Sequence, residues 1–399
     1  MNNGLTKNSR RTRNNGLIKE MGNSFLPVAL LFISIIYISG CSRVEVAELG
    51  KEIIPAGEAV IIDDISDLLT HKLKRDYAGQ KFLRDTHPKA NACVHATFKV
   101  NQGIESSYQQ GIFQAGASYP VWIRFSNAVE DVTSDYEKDF RGLAMKLSSI
   151  KGDRVSMLEL SPETGKRALL NTGDENHTQD FLFLGHDAFF AADPKDFFDF
   201  FSMSFEKFSL THPRGAWNIF KGSKRVVTPL DIEWNSVTAY ALGNEKRSDG
   251  GYQQVVRYAL NSCVENTGMQ PSEEHKGYLS ENLAKQLSGT GEGCLDFYIQ
   301  RQLDAEANPV ENALVAWDKE KSPLIKIAQI KIPAQVFTAP EQLDFCENLS
   351  FNPWHSLEAH KPLGGVNRAR RVVMKDISDE RLRQNGVERV EPTGYERFE

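Results

Sequence analysis

The chain has 399 residues, 25% of them charged and 40% hydrophobic, with a net charge of −6. That is enough apolar material for one large core or two. No long basic run follows the N-terminal segment, so nucleic acid is excluded as an expected partner.

The first 41 residues read as an export signal. Lys7, Arg10, Arg11, Arg13 and Lys19 make a basic start, and "FLPVALLFISIIYISG" from Phe25 to Gly40 is an apolar run of 16 residues. It closes on "ISGC", ending at Cys41. A basic start, an apolar middle and a small-residue end define a secretory signal, and 16 residues are slightly short for a spanning helix. The end resembles a bacterial lipobox, which implies a lipid on Cys41 and an anchor in the cell envelope, on the periplasmic face. Ser42 after the cysteine favours the outer membrane by the same resemblance. Residues 42 to 80 read as a mixed polar tether.

From 81 to 350 the pattern is that of short strands. "ACVHATFKV" alternates apolar and polar residues, and "YPVWIRFS" (119–126) is rich in β-formers. "RGLAMKLSS", "DFLFLG", "VTAYALG", "QQVVRYAL", "CLDFYIQRQL" and "PLIKIAQIKI" continue the series, with turn signals such as "NQG", "SIKGD" and "GTGEG" between several of them. Many short strands without a βαβ rhythm predict an antiparallel sheet or barrel. A helical section is expected at about 193–222 and a helix at about 366–385, within a last segment, 351–399. The tail "RVEPTGYERFE" is low in apolar residues and is expected to be loose. Ten phenylalanines fall between Phe181 and Phe208, the makings of a large core or of the walls of a pocket for a flat apolar ligand.

Common catalytic signatures are missing. There is no phosphate-binding GxxxxGK[ST], no GxGxxG, no HExxH and no GxSxG. The nine histidines show no metal-ligand spacing. Cys93, Cys263, Cys294 and Cys346 form no CxxC pair, so they are candidates for disulfides in an oxidising compartment, with connectivity open.

The predicted C-terminal helix has an unusual face. Arg370, Met374, Ile377 and Arg381 fall at i, i+4, i+7 and i+11, which puts Met374 about 40° and Arg381 about 20° from Arg370 around the axis. A face bound for an apolar core should not carry two arginines.

Three separated stretches resemble one family, the heme-containing catalases and their small catalase-like relatives. "RDTHPKANACVHATFKV" (84–100) is similar to the distal segment, with Arg84 and His87 in the places of an arginine and the catalytic histidine. "YPVWIRFSNA" (119–128) and "DFRGLAMKL" (139–147) resemble the V-x-R-F-S strand and its continuation, with Arg124 in the place of a propionate-binding arginine. "FNPWHSLEAHKPLGGVNRARRVVMKDISDERLR" (351–383) resembles the proximal segment. There Arg370 stands four residues before the iron ligand and Arg381 seven after it. The resemblance covers about 81–385. It implies an α+β fold, an antiparallel β-barrel with surrounding helices and a C-terminal proximal helix. It also implies heme as cofactor and hydrogen peroxide or organic hydroperoxides as substrate. The sequence departs from the family twice. Met374 stands where the family has a tyrosinate, leaving an axial thioether or a mere core residue as its readings. Gly185 stands where the distal asparagine belongs, with His186 beside it as a candidate substitute. Asp376 is the candidate acidic partner for Arg370. The alternative implied by these losses is a non-catalytic heme carrier, or a heme-free lipoprotein on the same scaffold.

Overall fold

The computed structural model describes residues 48–155, 177–266 and 268–398. The chain divides into Met1–Glu45 and Val46–Glu399, and the described residues all belong to the second unit. Cys41 and the lipobox-like stretch lie outside them.

Eight strands close into an antiparallel barrel. These are β1 (Ala90–Val100), β2 (Ser118–Ser126), β3 (Gly142–Leu147), β4 (Gln179–Leu184), β5 (Trp234–Asn235), β7 (Val255–Ser262), β8 (Gly293–Arg301) and β9 (Leu324–Ile332). They pair in that order, and β9 returns to β1. Two short strands extend the wall: β6 (Ala239–Ala241) continues along β7 beyond β5, and β10 (Pro362–Leu363) pairs with β6. Every one of the eight stretches expected to be a strand contains one.

Alternation explains the packing. On β1, Val94, Ala96, Phe98 and Val100 are buried in the main core. Cys93, on the opposite face, packs in a separate cluster outside, with Trp122 and Cys346. Period-two side chains therefore feed two layers at once. Inside, Phe98, Phe113, Phe181, Tyr258 and Phe297 meet at ring-centroid distances of 4.9–6.5 Å. Truncating any one of them to alanine costs about 3–5 kcal/mol by the usual cavity penalty.

Seven α-helices lie among the described residues: α1 (Glu58–Asp76), α2 (Pro194–Ser202), α3 (Phe205–Thr211), α4 (Pro213–Gly222), α5 (Tyr278–Gln286), α6 (Pro340–Asn348) and α7 (Gly365–Asn385). The section expected to be helical at 193–222 is thus three short helices, because Ser204 caps one and Pro213 starts the next. The stretch read as a polar tether holds α1. Its buried stripe Ile62, Ile65, Leu69 and Leu73 meets α7 and α2, with Ile65 and Leu69 clustering with Val373. Arg368 near the start of α7 lies between the carboxylates of Glu52, Glu58 and Glu311, at 2.6, 2.5 and 2.9 Å. At the other end Gly386, at φ 66°, closes the helix in the left-handed conformation that glycine adopts without strain.

The tail is anchored, contrary to expectation. Gly394 O bonds His95 Nε2 at 2.8 Å, Glu396 accepts from Trp122 Nε1 at 2.9 Å, and Glu391 lies 2.7 Å from Lys146. Phe398 packs on Trp122 and Phe345. Polar partners supply what the tail's few apolar residues cannot. Two disulfides form, Cys93–Cys346 between β1 and α6, and Cys263–Cys294.

Candidate functional site

His87 sits in the approach to β1 with a left-handed backbone, φ 61°. For a histidine this conformation is uncommon and strained. Three features hold it there. The His87 N–H donates to Ala128 O at 3.3 Å, and Arg124 Nη2 donates to His87 O at 2.9 Å. The ring Nδ1 lies 3.0 Å from Ser126 Oγ at the end of β2. Gly142, at the start of β3, leaves the room the ring fills: a Cβ there would come within 2.4 Å of His87 Cε1. The Ser126 hydroxyl reaches Gly142 O at 3.4 Å. With that hydroxyl donating to the carbonyl, Nδ1 is the donor toward serine and Nε2 keeps its lone pair. Burial, and after it the guanidinium groups of Arg124 and Arg84, push the His87 pKa down to about 3. Arg370 on α7 adds to the effect. The ring is therefore neutral across the working pH range, with one basic nitrogen available.

Beside it three arginines converge on one carboxylate. Arg84 Nη1 lies 2.8 Å from Glu347 Oε2, Arg124 Nη2 lies 3.8 Å from the same oxygen, and Arg381 Nη1 lies 3.8 Å from Oε1. The same guanidiniums take the last carbonyls of α6. Arg84 Nη2 donates to Leu349 O at 2.6 Å and Cys346 O at 3.3 Å, while Arg381 donates to Glu347 O at 2.6 Å and Leu349 O at 3.3 Å. A helix C-terminus carries negative partial charge, so cations belong there. Among the described residues three positive groups face one negative group, an excess of two. The strain shows in the titration behaviour. Burial, then Arg84, pushes Arg381 down to about 9 and Arg124 well below the usual arginine range. Arg124 Nε is buried without a hydrogen-bond partner among the described residues.

Arg370 goes elsewhere. It donates to Thr238 Oγ1 at 3.2 Å and Asn367 Oδ1 at 3.4 Å, and its guanidinium lies 5.3 Å from the centre of the Phe189 ring. Asp376 does not serve it: that carboxylate accepts from Ser66 Oγ at 2.5 Å, because it lies six residues further on, toward α1. Met374 is half-buried one turn beyond Arg370. Gly185 donates to Arg141 O at 3.0 Å, and a Cβ at Gly185 would stand 3.1 Å from Ile232, too close for a larger side chain without movement. His186 turns to Asp187 at 3.2 Å and to the edge of Phe140. Its Nε2 has no hydrogen-bond partner among the described residues.

The phenylalanine run divides. Phe181 and Phe183 fill the barrel. Phe189, Phe190, Phe197, Phe200, Phe201 and Phe208 form a chain of ring contacts outside it, beginning at the ring that Arg370 covers.

The structure thus gathers Arg84, Arg124 and Arg381 at one point, sets His87 beside Arg124, and holds Arg370 on the aromatic wall. Sequence reasoning missed Glu347, Gly142 and Thr238. Ser126 and Gly142 were within motifs already quoted. Glu347 carried no signal of its own.

An eight-stranded antiparallel barrel wrapped by helices, with a long C-terminal helix, is the catalase-like fold. The comparisons agree. A fungal catalase superposes with a TM-score of 0.56 at 17% identity, covering 78% of this chain and 61% of its own. Catalase A from Saccharomyces cerevisiae gives 0.58 at 16% identity, covering 84% and 68%. A bacterial catalase gives 0.55 at 14%, covering 97% and 68%. The chain therefore spans between three-fifths and seven-tenths of these proteins. No protein-family model and no curated protein matches it by sequence.

Proposed function

We propose that this chain is a small catalase-like, heme-binding protein, lipid-anchored through Cys41 at the periplasmic face of the outer membrane, that reacts with hydrogen peroxide or organic hydroperoxides. The observation that carries the reading is the cradle of His87. A strained backbone, a glycine-made cavity and a serine bond all serve to hold one neutral imidazole. Strain of this kind persists where the surroundings over-determine it, most often at working sites.

The residues fit heme on two of three counts. The surplus of two positive charges among Arg84, Arg124, Arg381 and Glu347 matches two propionates, and guanidiniums suit carboxylates. The aromatic wall suits a flat apolar ring. Were heme bound, Met374 would offer the iron a neutral thioether where the resembled family has a phenolate, and a thioether ligand raises the reduction potential. When bound, the iron supplies the electron-transfer chemistry by which the peroxide O–O bond breaks. The chain's own task is proton handling. His87 Nε2 takes the proton from the near peroxide oxygen and returns it to the departing one. Ser126 and the Arg124–His87 O bond keep the ring aimed.

Steady-state turnover of hydrogen peroxide and cumene hydroperoxide tests this. His87→Ala is expected to lose about 10²–10⁴-fold in rate with heme content retained; unchanged turnover contradicts the role. A second reading, a heme carrier or heme-free scaffold, is favoured by one observation. Arg370 is already satisfied by Thr238, Asn367 and Phe189, so nothing at its place demands an anionic iron ligand. A folded protein that binds no heme supports that reading.

A further inference from the structure

Helix α4 has two unlike faces. Gly215, Asn218 and Gly222 point inward. Asn218 donates to Phe189 O at 2.7 Å, and a Cβ at Gly215 or Gly222 would strike Phe190 O or the Phe140 ring. That face is fixed on the aromatic wall. Outward stand Trp217, 55% exposed, and Phe220, 53% exposed, with rings stacked at 5.6 Å. Leu210 on α3 is 79% exposed. An exposed, stacked aromatic pair such as Trp217 and Phe220 marks a candidate interaction site.

The surrounding charge selects the partner. From Ser204 to Arg225 the chain has five basic residues and one acidic, Glu206, in a protein whose net charge is −6. Lys207, Arg214, Lys221 and Lys224 are exposed, and no described residue forms an ion pair with them. Lys221 lies over the Trp217 ring at 5.6 Å. A short helical surface with a tryptophan, a phenylalanine and a leucine amid unpaired cations is what lies in the headgroup layer of an anionic bilayer. No described helix is long and apolar enough to cross a membrane, so such contact is interfacial.

We infer that the outer face of α3 and α4 docks on an anionic lipid bilayer, with Trp217 and Phe220 at the headgroup level. This holds whether or not heme is bound, so its test is separate from that of the proposed reaction.

Trp217 makes the experiment clean. Of five tryptophans, Trp122, Trp234, Trp317 and Trp354 are buried, and the first 47 residues contain none. The full chain is reconstituted with vesicles of phosphatidylcholine and phosphatidylglycerol whose acyl chains are brominated, and tryptophan quenching is read. The expected result is quenching that disappears in Trp217→Phe and weakens with salt or with phosphatidylcholine alone. Arg214→Gln/Lys221→Gln, which keeps the reporter and both apolar anchors, is expected to lower the quenched fraction, with affinity falling about thirtyfold. Equal quenching in wild type and Trp217→Phe, or none in either, overturns the inference. So does concentration-dependent self-association in lipid-free sedimentation that Trp217→Ser abolishes, since the face would then belong to a second copy.

Discussion

At residue scale the account turns on His87. Its folded pKa, about 3, lies below the ordinary histidine value near 6.5. Between those values the unfolded chain binds the proton and the folded chain does not, so stability falls as pH drops from about 6.5 toward 3. His360, buried beside Phe113 and also pushed to about 3 by burial, acts in the same direction. Thermal melts over pH 7 to 4 should show a falling Tm, and His87→Gln should flatten part of the slope. Turnover should stay level with falling pH until the protein unfolds; a rate that falls with an apparent pKa near 6.5 contradicts a base held neutral by its surroundings. Gly142→Ala places a Cβ 2.4 Å from the ring and should cost about 1–3 kcal/mol in urea unfolding and most of the turnover.

Glu347 offers a second test at this scale. Among the described residues it is the one carboxylate within 4 Å of Arg84, Arg124 and Arg381. Glu347→Gln leaves three buried guanidiniums against no full anion, and should destabilise the heme-free protein by about 3–5 kcal/mol. If propionates enter the cluster, heme should recover much of that loss, which melts with and without heme will show. Nothing in the sequence marks this residue. Arginines at 84, 124 and 381 were legible because motif and helix face placed them. Their shared partner became visible only when α6 was brought beside β1, across 253 residues, by Cys93–Cys346.

At the scale of elements, legibility followed period and length. β1 announces itself by alternation, β2 by its richness in β-formers, and α7 by its face. The buried stripe of α1, at i, i+3, i+7 and i+11, was present but masked by the charged residues around it. α5 and α6 are nine-residue helices with few buried positions, too brief for a clear helical period. The tail escaped because its anchors, His95, Trp122 and Lys146, lie far away in sequence. On α7 the proposed heme reading becomes an experiment. Met374→Tyr puts an anion-forming ligand one turn from Arg370, and peroxide turnover per heme should rise at least tenfold. No rise would contradict the proposal that the thioether of Met374 limits turnover. At α6, Cys93→Ser/Cys346→Ser opens a loop of some 250 residues and should cost about 5–6 kcal/mol by loop entropy, read as a drop in the urea midpoint.

At the scale of the whole molecule, the barrel and its helices are those of catalases at 14–17% identity, while the chain covers only 61–68% of their length. Identity so low carries the fold and leaves the chemistry to the site. Under the proposed function the arginine cluster and the His87 cradle would serve heme, with Met374 in place of an anionic ligand. One measurement weighs them directly. The full chain, expressed with ample heme and purified in detergent, is examined by absorption and by pyridine hemochrome. The account predicts a Soret band with one heme per chain, reduced in Arg124→Ala/Arg381→Ala. A well-folded, colourless protein under the same conditions would contradict it.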